Sequence, residues 1–179
     1  MRKEIVLAGT GGQGIQSFGS LLSKILDSKG HMVSLSFNYG PEARGGKSFG
    51  NIVIKDSPDD WPEILKIDIL VAMSQDGYES CLDKTDSNSI IIYDIEMVKP
   101  VPSSGKYYAI PALKTAALIG STISVNMVML GAMAAITGLC SLEDFSRALN
   151  GNSASPDKRL KFITEGYKLG ELQPVTCLR

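Results

Sequence analysis

Hydrophobic residues among the first forty positions follow a strand-like pattern in some segments and a helix-like pattern in another. The apolar run Ile5-Val6-Leu7-Ala8 predicts a buried strand over about Glu4 to Ala8. Helical spacing then predicts a helix over about Gly14 to Ser28, from Ile15, Phe18, Leu21, Leu22, Ile25 and Leu26. His31 to Phe37 alternates weakly and predicts a second strand. Two strands and a helix within about 30 residues favour a parallel strand pair with a right-handed crossover.

The pattern continues as alternating strands and helices, which predicts an α/β fold with a mostly parallel sheet. The further strands are predicted at Phe49 to Lys55, Asp68 to Met73, Ser89 to Tyr93 and Lys106 to Ile110. The further helices are predicted at Trp61 to Leu65, Gly77 to Leu82, Leu142 to Leu149 and Asp157 to Gly170.

One stretch, from Thr115 to Leu142, contains no charged residue. Its length would admit a membrane span. Ser121, Ser124 and Asn126 interrupt it, however, and the mean hydropathy of the whole chain is only +0.06. We therefore predict a helix buried in the core or against a partner subunit, and no membrane contact.

Composition narrows the function classes. With 179 residues, 44% of them hydrophobic, the chain predicts a single domain over residues 1–179. A formal net charge of -1 argues against nucleic-acid binding. The three cysteines are far apart and form no cluster-binding motif, so no metal site is expected. The chain begins with too short an apolar run for a signal peptide, and we expect a cytoplasmic protein.

The main candidate site is the turn Gly9-Thr10-Gly11-Gly12-Gln13-Gly14, between the first strand and the first helix. Its glycines match the dinucleotide-binding pattern at Gly9, Gly11 and Gly14. The acid that such a site needs after the second strand is missing, because Ser36, Phe37 and Asn38 occupy that place. A phosphate-binding P-loop is excluded, since no Lys-Ser or Lys-Thr follows. A free-standing NAD(P)- or FAD-binding protein and a turn needed only for packing both remain open.

A second loop, from Asn38 to Ser48, contains Tyr39, Gly40, Arg44, Gly45 and Gly46. Arg44 lies between small residues and suits a carboxylate or phosphate, although it could instead pair with Glu42. We expect this loop to meet the glycine turn at the carboxyl edge of the sheet, together with Ser74-Gln75-Asp76 and Asp94. Gln13 and Asn126 are further polar candidates, each for a ligand or for a structural hydrogen bond. His31 stands alone, and no catalytic residue is predicted.

Taken together, these motifs resemble the γ subunit of the 2-oxoacid:ferredoxin (acceptor) oxidoreductases. The landmarks are the glycine turn, then Tyr39-Gly40-Pro41-Glu42-Ala43-Arg44-Gly45-Gly46, Asp68-Ile69-Leu70-Val71-Ala72 and Asn126-Met127-Val128-Met129-Leu130-Gly131-Ala132. The resemblance spans nearly the whole chain. The Tyr-Gly-Pro-Glu form of the loop is most similar to the 2-oxoglutarate and branched-chain members.

The resemblance implies a Rossmann-like three-layer sandwich that works within a heteromeric complex. In that family, α and β subunits, with a δ subunit in some members, hold thiamine diphosphate, Mg²⁺ and iron–sulfur clusters. The complex converts a 2-oxoacid and CoA to an acyl-CoA and reduces ferredoxin. This chain would shape the active site without holding clusters, would bind no cofactor tightly alone and would be inactive alone. The implied cofactor-facing residues are Gly9, Gly11, Gly12, Gln13, Gly14, Tyr39, Gly40, Arg44, Gly45, Gly46 and Asn126.

Overall fold

The computed structural model describes residues 2–40, 45–101, 104–150 and 156–173. It shows a six-stranded sheet in the order β2-β3-β1-β4-β5-β6. The strands are β1 (Lys3–Thr10), β2 (Met32–Tyr39), β3 (Lys47–Lys55), β4 (Ile69–Ala72), β5 (Ile90–Asp94) and β6 (Lys106–Ile110). β1, β4, β5 and β6 pair in parallel, whereas β3 is antiparallel to both of its neighbours. The predicted α/β class with a mostly parallel sheet is confirmed.

The predicted direct pairing of β1 with β2 is wrong. β3 lies between them, so β2 runs in the same direction as β1 but one strand further out. The burial of the two strands explains the order. Ile52, Val53 and Ile54 of β3 are all buried and need cover on both faces of the sheet, while β2 is at least partly exposed along its length. β3, with apolar side chains on both faces, therefore takes the inner position, whereas β2, whose apolar residues alternate with serines, lies at the edge of the sheet.

Helices cover the two faces of the sheet unequally. They are α1 (Ile15–Ser28), α2 (Gln75–Glu79), α3 (Ala112–Ile119), α4 (Val125–Thr137), α5 (Leu142–Asn150) and α6 (Pro156–Glu171). One face carries the larger core, with α1, α3, α4, α5 and α6 contributing buried side chains. The other face is covered by α2 and by irregular segments that contribute Ile64, Ile67 and Val98. The result is the expected three-layer sandwich.

The predicted helix at Trp61 to Leu65 is wrong, because that segment has no regular structure. Hydrogen bonds from the start of β1 fix it instead. The Glu4 carboxylate accepts from the backbone N–H groups of Leu65 (2.5 Å) and Lys66 (2.9 Å). Arg2 donates to the carbonyl of Trp61 at 2.6 Å and is also paired with Glu4 at 2.8 Å. These long-range bonds supply what a helix would have supplied locally.

The uncharged stretch forms the second part of α3 and all of α4, and Gly120, in the left-handed conformation (φ 111°), ends α3. Every residue of α4 from Asn126 to Ala134 is buried. α4 packs against α6 and belongs to the core of the same chain, so of the two locations predicted for this stretch, α4 takes the core. Among the described helices, none is long and apolar enough to cross a membrane.

Candidate functional site

The glycine turn has the strand-to-helix geometry that the sequence predicts. β1 ends at Thr10 and α1 begins at Ile15. Between them, Gly12 and Gly14 have positive φ angles of 94° and 73°, a backbone conformation that residues with a Cβ rarely adopt. The N–H of Gln13 donates to the carbonyl of Thr10 at 3.1 Å and closes the turn.

The Gln13 side chain is a structural bridge. Its Oε1 accepts from the backbone N–H of Thr10 at 2.8 Å, and its Nε2 donates to the carbonyl of Met73 at 2.8 Å. The two bonds tie the ends of β1 and β4 together beneath the turn. Of the two roles that the sequence left open for Gln13, the structure therefore favours the structural one.

Asn126 holds the other side of the turn. Its Nδ2 donates to the carbonyl of Gly14 at 3.0 Å, and its Oδ1 accepts from the N–H of Met127 at 3.0 Å. The residue is buried, and a Cβ on Gly14 would overlap its amide. Asn126 thus joins the start of α4 to the start of α1 and is also structural. It lies under the turn, where it supports the residues that face solvent.

The hairpin loop between β2 and β3 meets the glycine turn. The N–H of Gly11 donates to the carbonyl of Gly46 at 2.9 Å, and Gly45 has a positive φ of 73°. Tyr39 is 64% exposed at the end of β2, and the N–H of Gly40 donates to the carbonyl of Lys47 at 2.8 Å. The two loops thus share one edge of the sheet. The candidate Arg44 and the alternative partner Glu42 lie outside the described residues.

The outer side of the turn is open. A Cβ on Gly12 would meet no atom of the described residues within 4 Å, whereas Gly9 is packed against Gln13 and Ile15. In the described part of the chain, the N-terminus of α1 has no side-chain cap and no acidic residue in its first turn. The first amides of a helix have no partners within the helix and attract anions. This end of the sheet can therefore accept a negatively charged group.

An apolar cleft of about 110 Å³ adjoins the turn. Its walls come from the loop after β5 and from the region of α3 and α4: Met97, Leu113, Thr122, Ile123 and Val125 line it together with Gly12 and Gln13. Ile123 is 81% exposed. This wall could not be predicted from the sequence, because nothing in the spacing of an uncharged stretch shows which of its residues are left uncovered.

Asp94 and Ser74, two of the four further polar residues expected at this edge, serve as helix caps. The Asp94 carboxylate accepts from the N–H groups of Leu113 (2.7 Å) and Glu96 (2.8 Å), so it caps the start of α3. Burial raises the pKa of this carboxyl group, against the lowering effect of those hydrogen bonds. Ser74 accepts from the N–H of Gly77 at 3.2 Å at the start of α2. Neither group is free for a ligand.

A dinucleotide site fits this geometry poorly. In a Rossmann site the second strand lies beside the first and brings its acid to the ribose. Here β3 separates the end of β2 from the glycine turn. In addition, the N–H of Gly11, one of the donors that would face a pyrophosphate, is bonded to Gly46.

The two described cysteines are unsuited to metal binding. Both are buried, and burial raises the pKa of Cys81 and of Cys140 to about 12, so both thiols stay protonated. Among the described residues, no three His, Cys, Asp or Glu side chains lie close enough together to hold a metal ion. Cys177 lies outside the described residues.

Comparison with known proteins identifies the family. The model of the pyruvate ferredoxin/flavodoxin oxidoreductase family matches residues 4–169. The chain is 36% identical to the 2-oxoglutarate synthase subunit KorC of Methanocaldococcus jannaschii, over 96% of this chain and 95% of that protein. The chain belongs to this family.

Two further relatives show which part of the family it represents. The γ subunit of a keto/oxoacid ferredoxin oxidoreductase from Geobacter sulfurreducens superimposes with a TM-score of 0.85 at 27% identity, covering 97% of this chain and 99% of that one. The ketoisovalerate oxidoreductase subunit VorA of Methanothermobacter thermautotrophicus is 34% identical over 86% of this chain, which spans 32% of VorA. This oxidoreductase family member is thus a γ subunit, and the resemblance stated from the motifs is confirmed.

Proposed function

We propose that this γ subunit belongs to a 2-oxoglutarate:ferredoxin oxidoreductase complex. The complex would decarboxylate 2-oxoglutarate oxidatively to its acyl-CoA and pass the electrons to ferredoxin. The names of the KorC relatives support 2-oxoglutarate as the substrate. The α and β subunits, with or without a δ subunit, would hold thiamine diphosphate, Mg²⁺ and the iron–sulfur clusters. The complex would work in the cytoplasm.

Within the complex, the proposed role of this chain is to close over the partners' cofactors with the edge formed by the glycine turn and the hairpin loop. The hydrogen bond from Gly11 to Gly46 carries this proposal, because it makes one continuous surface from two loops. The surface has few side chains, as a close approach by a ligand requires.

The residues at this edge fit the anionic part of thiamine diphosphate or of CoA. Both groups carry a diphosphate, and the uncapped start of α1 and the open space at Gly12 could face one. Thiamine diphosphate supplies the carbanion chemistry of decarboxylation when bound. The contribution of this chain would be to orient the bound group and to exclude water. Arg44 stays a prediction as an additional anion-binding group.

No step of acid–base catalysis is assigned to this chain. Gln13 and Asp94, two polar groups of this edge, already have partners within the fold. A subunit that shapes the site without supplying a reacting group would be inactive alone. We therefore expect activity only from the assembled complex.

The proposal is tested by placing a side chain in the open space at Gly12. Asparagine tolerates positive φ better than most residues, so Gly12→Asn should fold and assemble. In the purified complex, 2-oxoglutarate- and CoA-dependent dye reduction should fall by roughly tenfold or more, equivalent to about 1.4 kcal/mol of lost stabilisation. Subunit stoichiometry, measured on the same preparation, should be unchanged.

Gly30→Asn is the matched control. Gly30 also has a positive φ (84°), and a Cβ added there would meet no atom of the described part of the chain within 4 Å, but it lies at the opposite end of α1. It should leave activity within about twofold of the wild-type complex. Equal losses in both variants, or none in Gly12→Asn, would show that the turn does not face the reacting groups.

A further inference from the structure

The outer strand of the sheet, β2, has an unprotected edge. In the described part of the chain β2 pairs with β3 on one side and with no strand on the other. Its eight residues include no charge and no proline, and its register with β3 runs without a bulge from Met32 opposite Lys55 to Tyr39 opposite Ser48. Folded proteins normally protect a long edge strand with one of these devices.

Along β2, the backbone N–H and C=O groups point alternately towards β3 and towards the open edge. The N–H of Gly40 donates to the carbonyl of Lys47, which makes that pair a hydrogen-bonded one. In an antiparallel ladder such pairs recur at every second residue. The backbone groups of Val33, Leu35 and Phe37 therefore point away from β3, towards the open edge.

The side chains of β2 are arranged almost symmetrically about Leu35. The sequence around it reads Val33-Ser34-Leu35-Ser36-Phe37, apolar, Ser, Leu, Ser, apolar. The apolar side chains lie on the α1 face, where Leu35 and Phe37 come within 3.2 Å and 3.1 Å of a Cβ built on Gly19. Ser34 and Ser36 line an open groove of about 710 Å³ on the other face.

These features fit a second copy of the same strand. Two copies of β2 can pair antiparallel about a two-fold axis that passes between their Leu35 residues. Leu35 then lies opposite Leu35 of the other copy and Val33 opposite Phe37, and all three residues have backbone groups that point to the open edge. Ser34 then lies opposite Ser36 in the pairs whose side chains approach most closely. A β-branched residue opposite an aromatic one and a serine opposite a serine are both favourable pairs.

We propose that β2 is a self-association edge, through which two copies of this chain form one continuous twelve-stranded sheet of two times six strands. The interface is isologous, with the same strand on both sides of the two-fold axis. A charge-free strand offers nothing to a charged partner, whereas its near-palindromic order of residues complements itself. The pairing does not depend on the proposed function.

Charge substitutions on the open face test the proposed pairing. We expect the wild-type full chain to show twice its monomer mass of 19.2 kDa at micromolar concentration in sedimentation or light scattering. The variant S34K/S36K places lysines directly opposite each other across the axis, and S34E/S36E does the same with glutamates. Each variant alone should raise the dimer dissociation constant by roughly tenfold or more, since like charges opposite each other destabilise a strand pair. An equimolar mixture of the two should restore the dimer.

Asn51→Lys is the control, because Asn51 lines the same groove from the inner strand β3 and does not reach the edge. It should leave the dimer intact. A monomeric wild-type chain at every concentration, dimeric charge variants, or an equal effect of Asn51→Lys would each overturn the proposal. If the wild type is monomeric and S34K/S36K instead lowers recovery of the other subunits from a co-expressed complex, the edge belongs to a partner subunit, which also overturns it.

Discussion

Two constraints disfavour a Cβ atom at position 14, which is occupied by glycine. Its φ of 73° disfavours any residue with a Cβ, and a Cβ there would also overlap the amide of Asn126. Asn126 in turn donates to the carbonyl of Gly14. The glycine and the asparagine are therefore expected to behave as a coupled pair, although 112 residues separate them in sequence.

A double-mutant cycle measures that coupling. Asn126→Ala should lower the free energy of unfolding by about 1 to 2 kcal/mol, because a buried hydrogen bond is lost. Gly14→Ala should cost more, but its cost should fall by about 1 kcal/mol or more in the Asn126→Ala background, where the overlap is gone. Urea unfolding of the four proteins gives the numbers. Simple additivity would show that the two residues do not interact.

Residue roles were only partly predictable. The sequence singled out Gln13 and Asn126 as polar residues in unusual places, but it could not decide between ligand and structure. Their partners, Met73 and Gly14, lie 60 and 112 residues away and become neighbours only in the folded chain. The glycines of a turn can be recognised from the neighbouring sequence, whereas the hydrogen-bond partners of a side-chain amide cannot.

At the scale of elements, α5 begins with a reciprocal cap. The N–H of Ser141 donates to the Asp144 carboxylate at 2.9 Å, and the N–H of Asp144 donates to the Ser141 hydroxyl at 3.2 Å. Lys29, just after α1, also pairs with Asp144 at 3.0 Å. The backbone hydrogen bond from Ser141 and the bond from Lys29 lower the pKa of Asp144 from 3.8 to about 2.

This lowered pKa predicts a pH dependence with a definite sign. The ionised group stabilises the folded state above 3.8, the value taken for the unfolded chain, and the contribution is lost as pH falls towards 2. Asp144→Asn should therefore be less stable than wild type at neutral pH, by about 1 kcal/mol as for other lost caps. The gap should close as pH falls through this window in urea unfolding.

Glu143→Gln provides the control for that experiment. Glu143 is in the same turn and pairs with Arg147, but both side chains are largely exposed, at 74% and 68%. Its substitution should change stability by no more than about 0.5 kcal/mol. A pH-independent gap between wild type and Asp144→Asn would mean that the cap acts through its geometry and not through its charge.

The packing of α4 on α6 depends on glycines. A Cβ on Gly166 would collide with the backbone carbonyl of Val128, and one on Gly131 with that of Ile163. Backbone cannot shift as a side chain can, so Gly166→Ala should force the helices apart and cost about 3 kcal/mol or more in thermal or urea unfolding.

Gly19→Ala is the matched comparison for Gly166→Ala. Gly19 is also a buried helical glycine, in α1, but its neighbours are the side-chain ends of Leu35 and Phe37. These can move, and alanine is the better helix former, so the loss there should be clearly smaller. Equal losses at the two positions would contradict close backbone packing between α4 and α6.

Elements were predicted best where one local pattern decides them. α1 and the parallel strands were found from periodicity alone. The order of β2 and β3 could not be predicted in this way, because a strand, a helix and a second strand usually form two adjacent parallel strands. Which of β2 and β3 lies next to β1 depends on whether their apolar side chains need cover on one face of the sheet or on both. The helix predicted at Trp61 to Leu65 was wrong for a related reason. The conformation of that segment is set by hydrogen bonds from Glu4 and Arg2, which are distant in sequence.

At the scale of the whole molecule, strand order decides between two interpretations of the glycine turn. A spacing of glycines typical of dinucleotide sites occurs here in a sheet whose second strand is not adjacent to the first. The place beside the turn is taken by β3 and by the hairpin loop, bonded to Gly11 through Gly46. Sequence could detect the missing acid at Asn38, but only the topology shows that an acid there would be too far from the turn to matter.

The whole chain is therefore expected not to bind dinucleotides. Calorimetric titration of the isolated wild-type chain with NAD, NADP and FAD should show no saturable binding at micromolar concentrations. Asn38→Asp, which restores the acid of the fingerprint after β2, should not create binding either, because β3 still separates that side chain from the turn. Tight binding by the wild type would support a free-standing nucleotide-binding protein. Binding gained only in Asn38→Asp would mean that the end of β2 does reach the ligand, in spite of the strand between them.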